Sequence, residues 1–527
     1  MSEQSVLIAG EWRRSQATGT FAAENPATQR PLADSYPISS WMDIDQALDS
    51  ATAAASVLRE LPGEMTAEFL DKYAAHIERQ IEALVAMAHD ETALPVRPRL
   101  SEVELPRTTG QLREAARSAL SGSWMLPTID TKQGIRSCHA ALGPVLVFGP
   151  NNFPFAFNSV AGGDFAAAIA TGNPVIAKAN TSHPGTTRLL AMAAHEAALE
   201  AGLPAGTVQL IYRTSHADGA RAVADPRTGA TAYTGSRAAG LELKAAADRA
   251  GKPIYLELSS VNPVLVLPGA LTSRGEPLAT EFSASCLMGT GQFCTNPGVV
   301  VLLAGAETDR FVASVTEKFR AAPVGTLLSK GVAQSFGENL ERLRKAGAKL
   351  LVGGTPGGGQ GYSHANTLLA IGGSQFLSDP QRFQTEVFGN ASLLVVAENA
   401  TQAGAIIDAL EGNLTGCVYS ATDGSDDALY AQLAPRLRRK VGRLLNDKMP
   451  TGVAVSAAMN HGGPYPATGH PGFTAVGIPA ALRRFTALEC YDNVRGNRLP
   501  LALRNKNPTG SMWRFVDGNW TQADVEI

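Results

Sequence analysis

Residues Val145–Lys178 read VLVFGPNNFPFAFNSVAGGDFAAAIATGNPVIAK, and this stretch decides the fold. Val145–Phe148 is a short apolar run that fits a buried strand, closed by Gly149-Pro150. An Ala-rich helix is predicted over Gly163–Ala170, and a second strand at Pro174–Lys178. Working outward, a helix runs from about Gly185 to Ala201, followed by strands at Val208–Tyr212 and Ala230–Thr234. Strands alternating with helices indicate βαβ units and a parallel sheet, so the fold class is α/β, with ligands expected at the carboxyl ends of the strands.

Upstream, Ser5–Trp12 reads as a strand entering a turn at Gly10. Asp43–Arg59, Met65–Ala88 and Glu102–Ser121 carry apolar residues at three-to-four spacing and read as helices. Downstream, a second α/β stretch begins after Pro263 with a strand at Val264–Leu267, a helix at Leu278–Gly289 and a strand at Val299–Leu303. It continues to about residue 450. Gly353–Gly361 is glycine-rich but lacks the Lys-Ser/Thr ending of a phosphate-binding loop, and reads as a surface loop. The tail from Gly462, rich in Gly, Pro and aromatics, reads as packing arms rather than a domain.

Composition narrows the function. Of 527 residues, 44% are hydrophobic and 18% charged, which is ample for large cores. Lys and Arg number 45 against 48 Asp and Glu, a net charge of −3, so nucleic acid is not an expected partner. No apolar run approaches the roughly 18 residues that span a bilayer, and the opening MSEQSVLIAGEWRRSQ is no signal peptide. Neither a membrane nor a secreted setting is expected. Five cysteines, Cys138, Cys286, Cys294, Cys417 and Cys490, are odd in number and lack zinc-ligand spacing. They fit reduced thiols in a cytoplasmic enzyme with no metal site.

Four fragments carry chemistry. Cys294, in Gly291-Gln292-Phe293-Cys294-Thr295, is either an attacking thiolate or one more packed thiol. Glu257, inside the otherwise apolar Ile254–Leu258, is either a buried carboxylate with a purpose or a residue facing water at a sheet edge. Asn152 follows the buried strand Val145–Phe148, where its amide could meet an oxyanion or cap a turn. Lys178 ends its strand, facing either a ribose or phosphate or bulk solvent.

Together these fragments resemble the aldehyde dehydrogenase superfamily. The family's order is kept: the Asn-Phe-Pro turn, the strand-ending lysine, Tyr233–Ser236 with Gly240, the Glu-Leu segment, Gly-Gln-x-Cys, and Thr385–Gly389. The likeness runs from Gly10 to about Arg484, with Glu257 and Cys294 separated by 37 positions. A finer likeness, to NADP-linked 2-oxoglutarate semialdehyde dehydrogenases and fatty-aldehyde-oxidising relatives, is carried by Phe153–Phe157, Gly162–Asp164, His183–Thr186 and His461–Thr468. Two departures stand out: Ser259-Ser260 replaces the usual glycine pair, and Val261 replaces a lysine.

The resemblance implies a Rossmann-type cofactor domain (1–124 and 145–258), an α/β catalytic domain (259–455) and a small β bridging element (125–144 and 480–500). Residues 456–479 and 501–527 would be loop-rich tail segments. It implies oxidation of an aldehyde to the acid, with 2-oxoglutarate semialdehyde or a similar semialdehyde or aliphatic aldehyde as substrate. Cys294 would be the nucleophile, Asn152 and the Cys294 N–H the oxyanion donors, and Glu257 the base that activates water. Glu386 would hold the nicotinamide ribose, with Phe388 beside it, and Gly235 and Ser236 would line the cofactor. His461 would be either a hydrogen-bonding strut or a second acid/base, the strut being the plainer role.

Cofactor choice follows from one position. NAD-preferring relatives carry a glutamate three residues after the strand lysine, and here that position is Thr181. Threonine removes a repulsion with a 2′-phosphate of about 4 kcal/mol, and Lys178 and Arg213 would supply positive charge. Thr181 could equally cap the next helix. NADP is therefore expected, with NAD used more weakly, in a homodimer or homotetramer. A cysteine-dependent ester or thioester hydrolase would leave Lys178, Glu386 and Gly235–Gly240 without a task. A CoA-acylating enzyme would not need Glu257, and a non-catalytic relative would need none of the reactive residues.

Overall fold

The computed structural model describes residues 3–526. Its first sheet has the strand order Ile254–Glu257, Ala230–Thr234, Val145–Phe148, Val175–Lys178, Val208–Ile211, Val6–Ile8, Glu11–Arg13. The first five strands are parallel and the last two add an antiparallel hairpin. From Val145–Phe148 the chain first builds outward on one side and then crosses to build on the other. The switch in direction leaves a crevice at the carboxyl ends. Phe148, Lys178, Thr234 and Glu257 all end strands on that side.

The second sheet runs Lys349–Val352, Thr367–Gly372, Ala391–Ala397, Val299–Leu303, Val264–Val266, Asn413–Tyr419, Val441–Asn446. All its pairs are parallel except the first. Its central strands Val264–Val266 and Val299–Leu303 are wholly apolar because both faces are covered. Val264, Val266, Val300, Leu302 and Leu394 enter one core, while Leu265, Val299, Val301, Leu393 and Val395 enter the other. That alternation is the two-residue period of a strand.

A third, five-stranded sheet joins Thr486–Asp492, Ile135–Ala141, Thr128–Asp130, Arg514–Val516 and Asn519–Thr521. Residues 501–527 are thus not all loop: they contribute a hairpin, turning at Asp517-Gly518, to this sheet. The expected helix Met65–Ala88 is two helices, Gly63–Arg79 and Ile81–Thr92, broken at Gln80. The one expected at Leu278–Gly289 is longer, Pro268–Leu287, with a kink at Arg274. Glu102–Ser121 begins as an irregular segment, and its regular helix is Leu105–Ser121. Ser5–Trp12 is the hairpin rather than one strand.

The candidate site residues lie at carboxyl ends in the first sheet only. In the second sheet the loop bearing Cys294 precedes the strand Val299–Leu303, and Glu386 precedes Ala391–Ala397. The amino ends of the second sheet therefore face the carboxyl ends of the first. No helix among the described residues is long and apolar enough to cross a membrane.

Candidate active site

Cys294 sits in a loop whose shape starts at Gly291, where φ is +67° and an added Cβ would lie 2.1 Å from the Gly389 carbonyl oxygen. Only glycine fits that approach. The loop is then tied down on both sides. Gln292 accepts from the Leu328 N–H (2.8 Å) and donates to the Thr326 carbonyl (3.2 Å). Asn262 donates to the carbonyls of Cys294 and Asn296, both at 2.9 Å. Cys294 stays half-buried, whereas Cys286, Cys138 and Cys417 are buried.

Glu257 closes the strand Ile254–Glu257 and is 2% exposed, so it does not face water at a sheet edge. The edge of that strand is covered by the tail: Leu258 N–H donates to the Ala467 carbonyl at 2.8 Å. The same tail delivers His461, 1% exposed, whose N–H donates to the Thr474 hydroxyl at 2.9 Å. His461 Nε2 lies 2.9 Å from Glu257 Oε1 and 3.5 Å from Cys294 Sγ. The three side chains thus converge within 4.8 Å of one another. Glu257 Oε2 is buried without a hydrogen-bond partner. Burial, with the Glu257 carboxylate next, pushes the Cys294 thiol pKa well up, and Arg107 pulls it down.

Asn152 is buried and donates to the Gln292 carbonyl at 3.0 Å, which engages one of its two amide hydrogens. Its turn is held by an ion pair that the sequence reading missed. Arg99 pairs with the fully buried Glu104 and donates to the Asn152 carbonyl at 2.9 Å. Glu104 in turn accepts from the N–H groups of Phe155 (2.8 Å) and Ala156 (3.0 Å). No sequence signal marked the pair, because Arg99 and Glu104 lie in the irregular Val96–Glu104, before the regular helix.

At the crevice of the first sheet, Lys178 is half-buried rather than freely solvated. Burial, with Arg213 beside it, lowers its pKa to about 8. Thr181 is exposed and caps nothing: the next helix, Pro184–Glu200, has His183 at its cap position. Among the described residues, neither Lys178 nor Arg213 pairs with a carboxylate. Gly235 donates its N–H to the Glu257 carbonyl at 3.1 Å, and Ser236 opens the helix Arg237–Arg249. Glu386 and Phe388 share a cleft with Gly291 and Phe293. Burial raises the Glu386 carboxyl pKa to about 7, against the pull of the Ser259 hydroxyl and the Ser260 N–H. These residues suit a nicotinamide dinucleotide: unpaired cations at one end, a helix N-terminus, and a carboxylate for a ribose.

The chain matches the sequence profile of the aldehyde dehydrogenase family over residues 12–463. It is 38% identical over 514 residues to alpha-ketoglutaric semialdehyde dehydrogenase 2 of Azospirillum brasilense, covering 95% of this chain and 96% of that protein. The corresponding figures for alpha-ketoglutaric semialdehyde dehydrogenase of Acinetobacter baylyi are 35% over 517 residues, 95% and 96%. Among solved structures, lactaldehyde dehydrogenase of Escherichia coli aligns with a TM-score of 0.79 at 22% identity, covering 93% of this chain and 98% of that one.

Proposed function

The chain belongs to the aldehyde dehydrogenase family, which oxidises aldehydes to acids with nicotinamide cofactors, and we propose 2-oxoglutarate semialdehyde or a similar semialdehyde or aliphatic aldehyde as its substrate, with NADP preferred. The observation that carries the catalytic part is the convergence of Cys294, His461 and Glu257 within 4.8 Å. The names of the two relatives support the substrate, and the exposed, uncharged Thr181, three residues after Lys178, supports NADP.

In this reading the resting Cys294 is a neutral thiol, and its proton passes to the Glu257–His461 pair, whose shared atom His461 Nε2 lies within reach of the sulfur, as the sulfur attacks the carbonyl. The thiohemiacetal oxyanion meets the free amide hydrogen of Asn152 and the Cys294 N–H. Lys178, Thr181, Arg213, Gly235, Ser236, Glu386 and Phe388 would hold the cofactor, whose nicotinamide supplies the hydride acceptor when bound. Glu257, with Oε2 unpartnered, takes a proton from the water that hydrolyses the acyl-cysteine. His461 is thus an acid/base as well as a strut. The active enzyme is cytoplasmic and at least dimeric, joined through the sheet of Ile135–Ala141 and Thr486–Asp492. Steady-state rates for 2-oxoglutarate semialdehyde, succinate semialdehyde, glutaraldehyde and medium-chain aldehydes with each cofactor test the substrate. Failure to reduce either cofactor with every aldehyde would remove the reading.

A further inference from the structure

The three side chains that converge at the candidate active site come from separate parts of the fold. Glu257 ends a strand of the first sheet, Cys294 lies in a loop before a strand of the second, and His461 belongs to the tail. His461 stands 204 positions from Glu257 and 167 from Cys294, so no sequence spacing marks them as a set. They offer three different donor atoms, a sulfur, an imidazole nitrogen and a carboxylate oxygen. That mixture suits a borderline-soft divalent ion, zinc above all, whereas magnesium and calcium prefer oxygen ligands.

The separations fit that ion. Bonds of about 2.3 Å to sulfur and about 2.0 Å to nitrogen, at a tetrahedral angle, put those two atoms about 3.5 Å apart. Cys294 Sγ and His461 Nε2 are 3.5 Å apart. His461 Nε2 and Glu257 Oε1, at 2.9 Å, need open by only about 0.5 Å to admit the metal between them. Each ligand is anchored through its backbone. The Cys294 carbonyl accepts from Asn262 Nδ2 at 2.9 Å, and the Glu257 carbonyl accepts from the Gly235 N–H at 3.1 Å. His461 is fixed twice, its N–H on the Thr474 hydroxyl and its carbonyl accepting from the Ala475 N–H, each at 2.9 Å. Glu257 Oε2 is buried with no hydrogen-bond partner, so the carboxylate keeps a free lone pair in a residue only 2% exposed. Cys294, half-buried, gives the side of entry. Arg107 and Arg443 act on the sulfur as cations and Glu386 as an anion. The thiolate and the Glu257 carboxylate still bring two formal negative charges, which a divalent cation balances.

We propose that Cys294, His461 and Glu257 form a reversible inhibitory site for Zn2+, with the fourth position left to water. The coordination follows from the geometry alone, while the inhibition rests on the reading of Cys294 as the nucleophile of an aldehyde oxidation. On binding, the thiol releases its proton to solvent and the neutral imidazole carries its proton on Nδ1. The thiolate, Nε2 and one Glu257 oxygen then each give an electron pair to the zinc, with no change of oxidation state. A coordinated sulfur cannot attack a carbonyl, and a coordinated carboxylate cannot take a proton from water. Removal of the metal by a chelator restores both.

The test starts from metal-free enzyme and uses Zn2+ in a calorimetric titration and Co2+ as its coloured stand-in. The wild-type chain should take up one ion at this site and, with Co2+, show a thiolate-to-metal charge-transfer absorption. Cys294→Ala should lose that absorption. Cys294→Ala and His461→Ala should each weaken Zn2+ binding by more than the roughly 10- to 100-fold that loss of an outer partner costs. Cys490→Ser, which removes the exposed thiol, should bind as the wild type does. With no variant at all, Zn2+ should slow alkylation of Cys294 by iodoacetamide, read by peptide mass, and should stop aldehyde oxidation, and EDTA should reverse both. No uptake by the wild type, an absorption kept in Cys294→Ala, or oxidation that continues in zinc-loaded enzyme would overturn the inference, and oxidation by the metal-free enzyme would leave the parent reading intact. Zinc bound through these residues in an enzyme that oxidises no aldehyde would keep the metal site, while its inhibitory role would fall with the parent reading.

Discussion

Cys286 is sealed behind the loop that carries Cys294. Its sulfur lies 3.7 Å from the Ala391 carbonyl, and burial pushes its thiol up to about 12. Cys294 is half-buried and has His461 within reach. Cys294→Ala should therefore abolish aldehyde oxidation while cofactor binding persists in a fluorescence titration. Cys286→Ala should retain a substantial rate, and an inactive Cys286→Ala with an active Cys294→Ala would reverse the assignment. The cofactor prediction is also set by single residues. A carboxylate at position 181 would face the 2′-phosphate beside Lys178 and Arg213, at a cost of about 4 kcal/mol near a surface. Thr181→Glu should move the preference from NADP toward NAD, chiefly by raising the KM for NADP. A wild-type enzyme with the higher kcat/KM for NAD would contradict this. Thr181 was legible because it sits at a fixed count from a strand end. Arg99 and Glu104 were not, because no regular pattern runs through the irregular Val96–Glu104.

Among the elements, the segment Val96–Glu104 and the turn after Val145–Phe148 form one unit, clamped by Arg99 and Glu104. Glu104→Gln leaves the Arg99 charge uncompensated and weakens the acceptor for two N–H groups. Breaking a buried pair in this way costs about 3–5 kcal/mol. Denaturant unfolding should show a loss of that order, with a fall in kcat as Asn152 loses its setting. A loss under about 1 kcal/mol would mean that the pair is solvated. The strand Val299–Leu303 lies where its apolar run placed it, because a strand covered on both faces needs continuous apolar sequence. The break at Gln80 was hidden because apolar spacing continues through both helices. The hairpin of Arg514–Val516 and Asn519–Thr521 did have a signal, Asp517-Gly518, the pair that favours a two-residue turn. Its strands were too short for alternation to mark them.

For the whole molecule, the meeting of the two large sheets, carboxyl ends against amino ends, gathers residues from across the sequence into one site. The family motifs named most of those residues, but their convergence depends on the tail that carries His461 over the strand of Glu257. The small sheet points outward: Thr486–Asp492 is its edge strand, with Leu488 65% exposed, and Trp520 on the opposite edge strand is 55% exposed. An unpaired edge with exposed apolar side chains favours association with a second copy. Light scattering at micromolar concentration should give at least a dimer mass, and a monomer mass would contradict that. The central claim is covalent oxidation on Cys294 followed by hydrolysis that depends on Glu257. A stopped-flow trace of Glu257→Gln, mixed with substrate and NADP, tests it most directly. A burst of NADPH equal to the number of sites, followed by a stall at the acyl-enzyme, is the expected result. Steady turnover at the wild-type rate, with no burst, would contradict it.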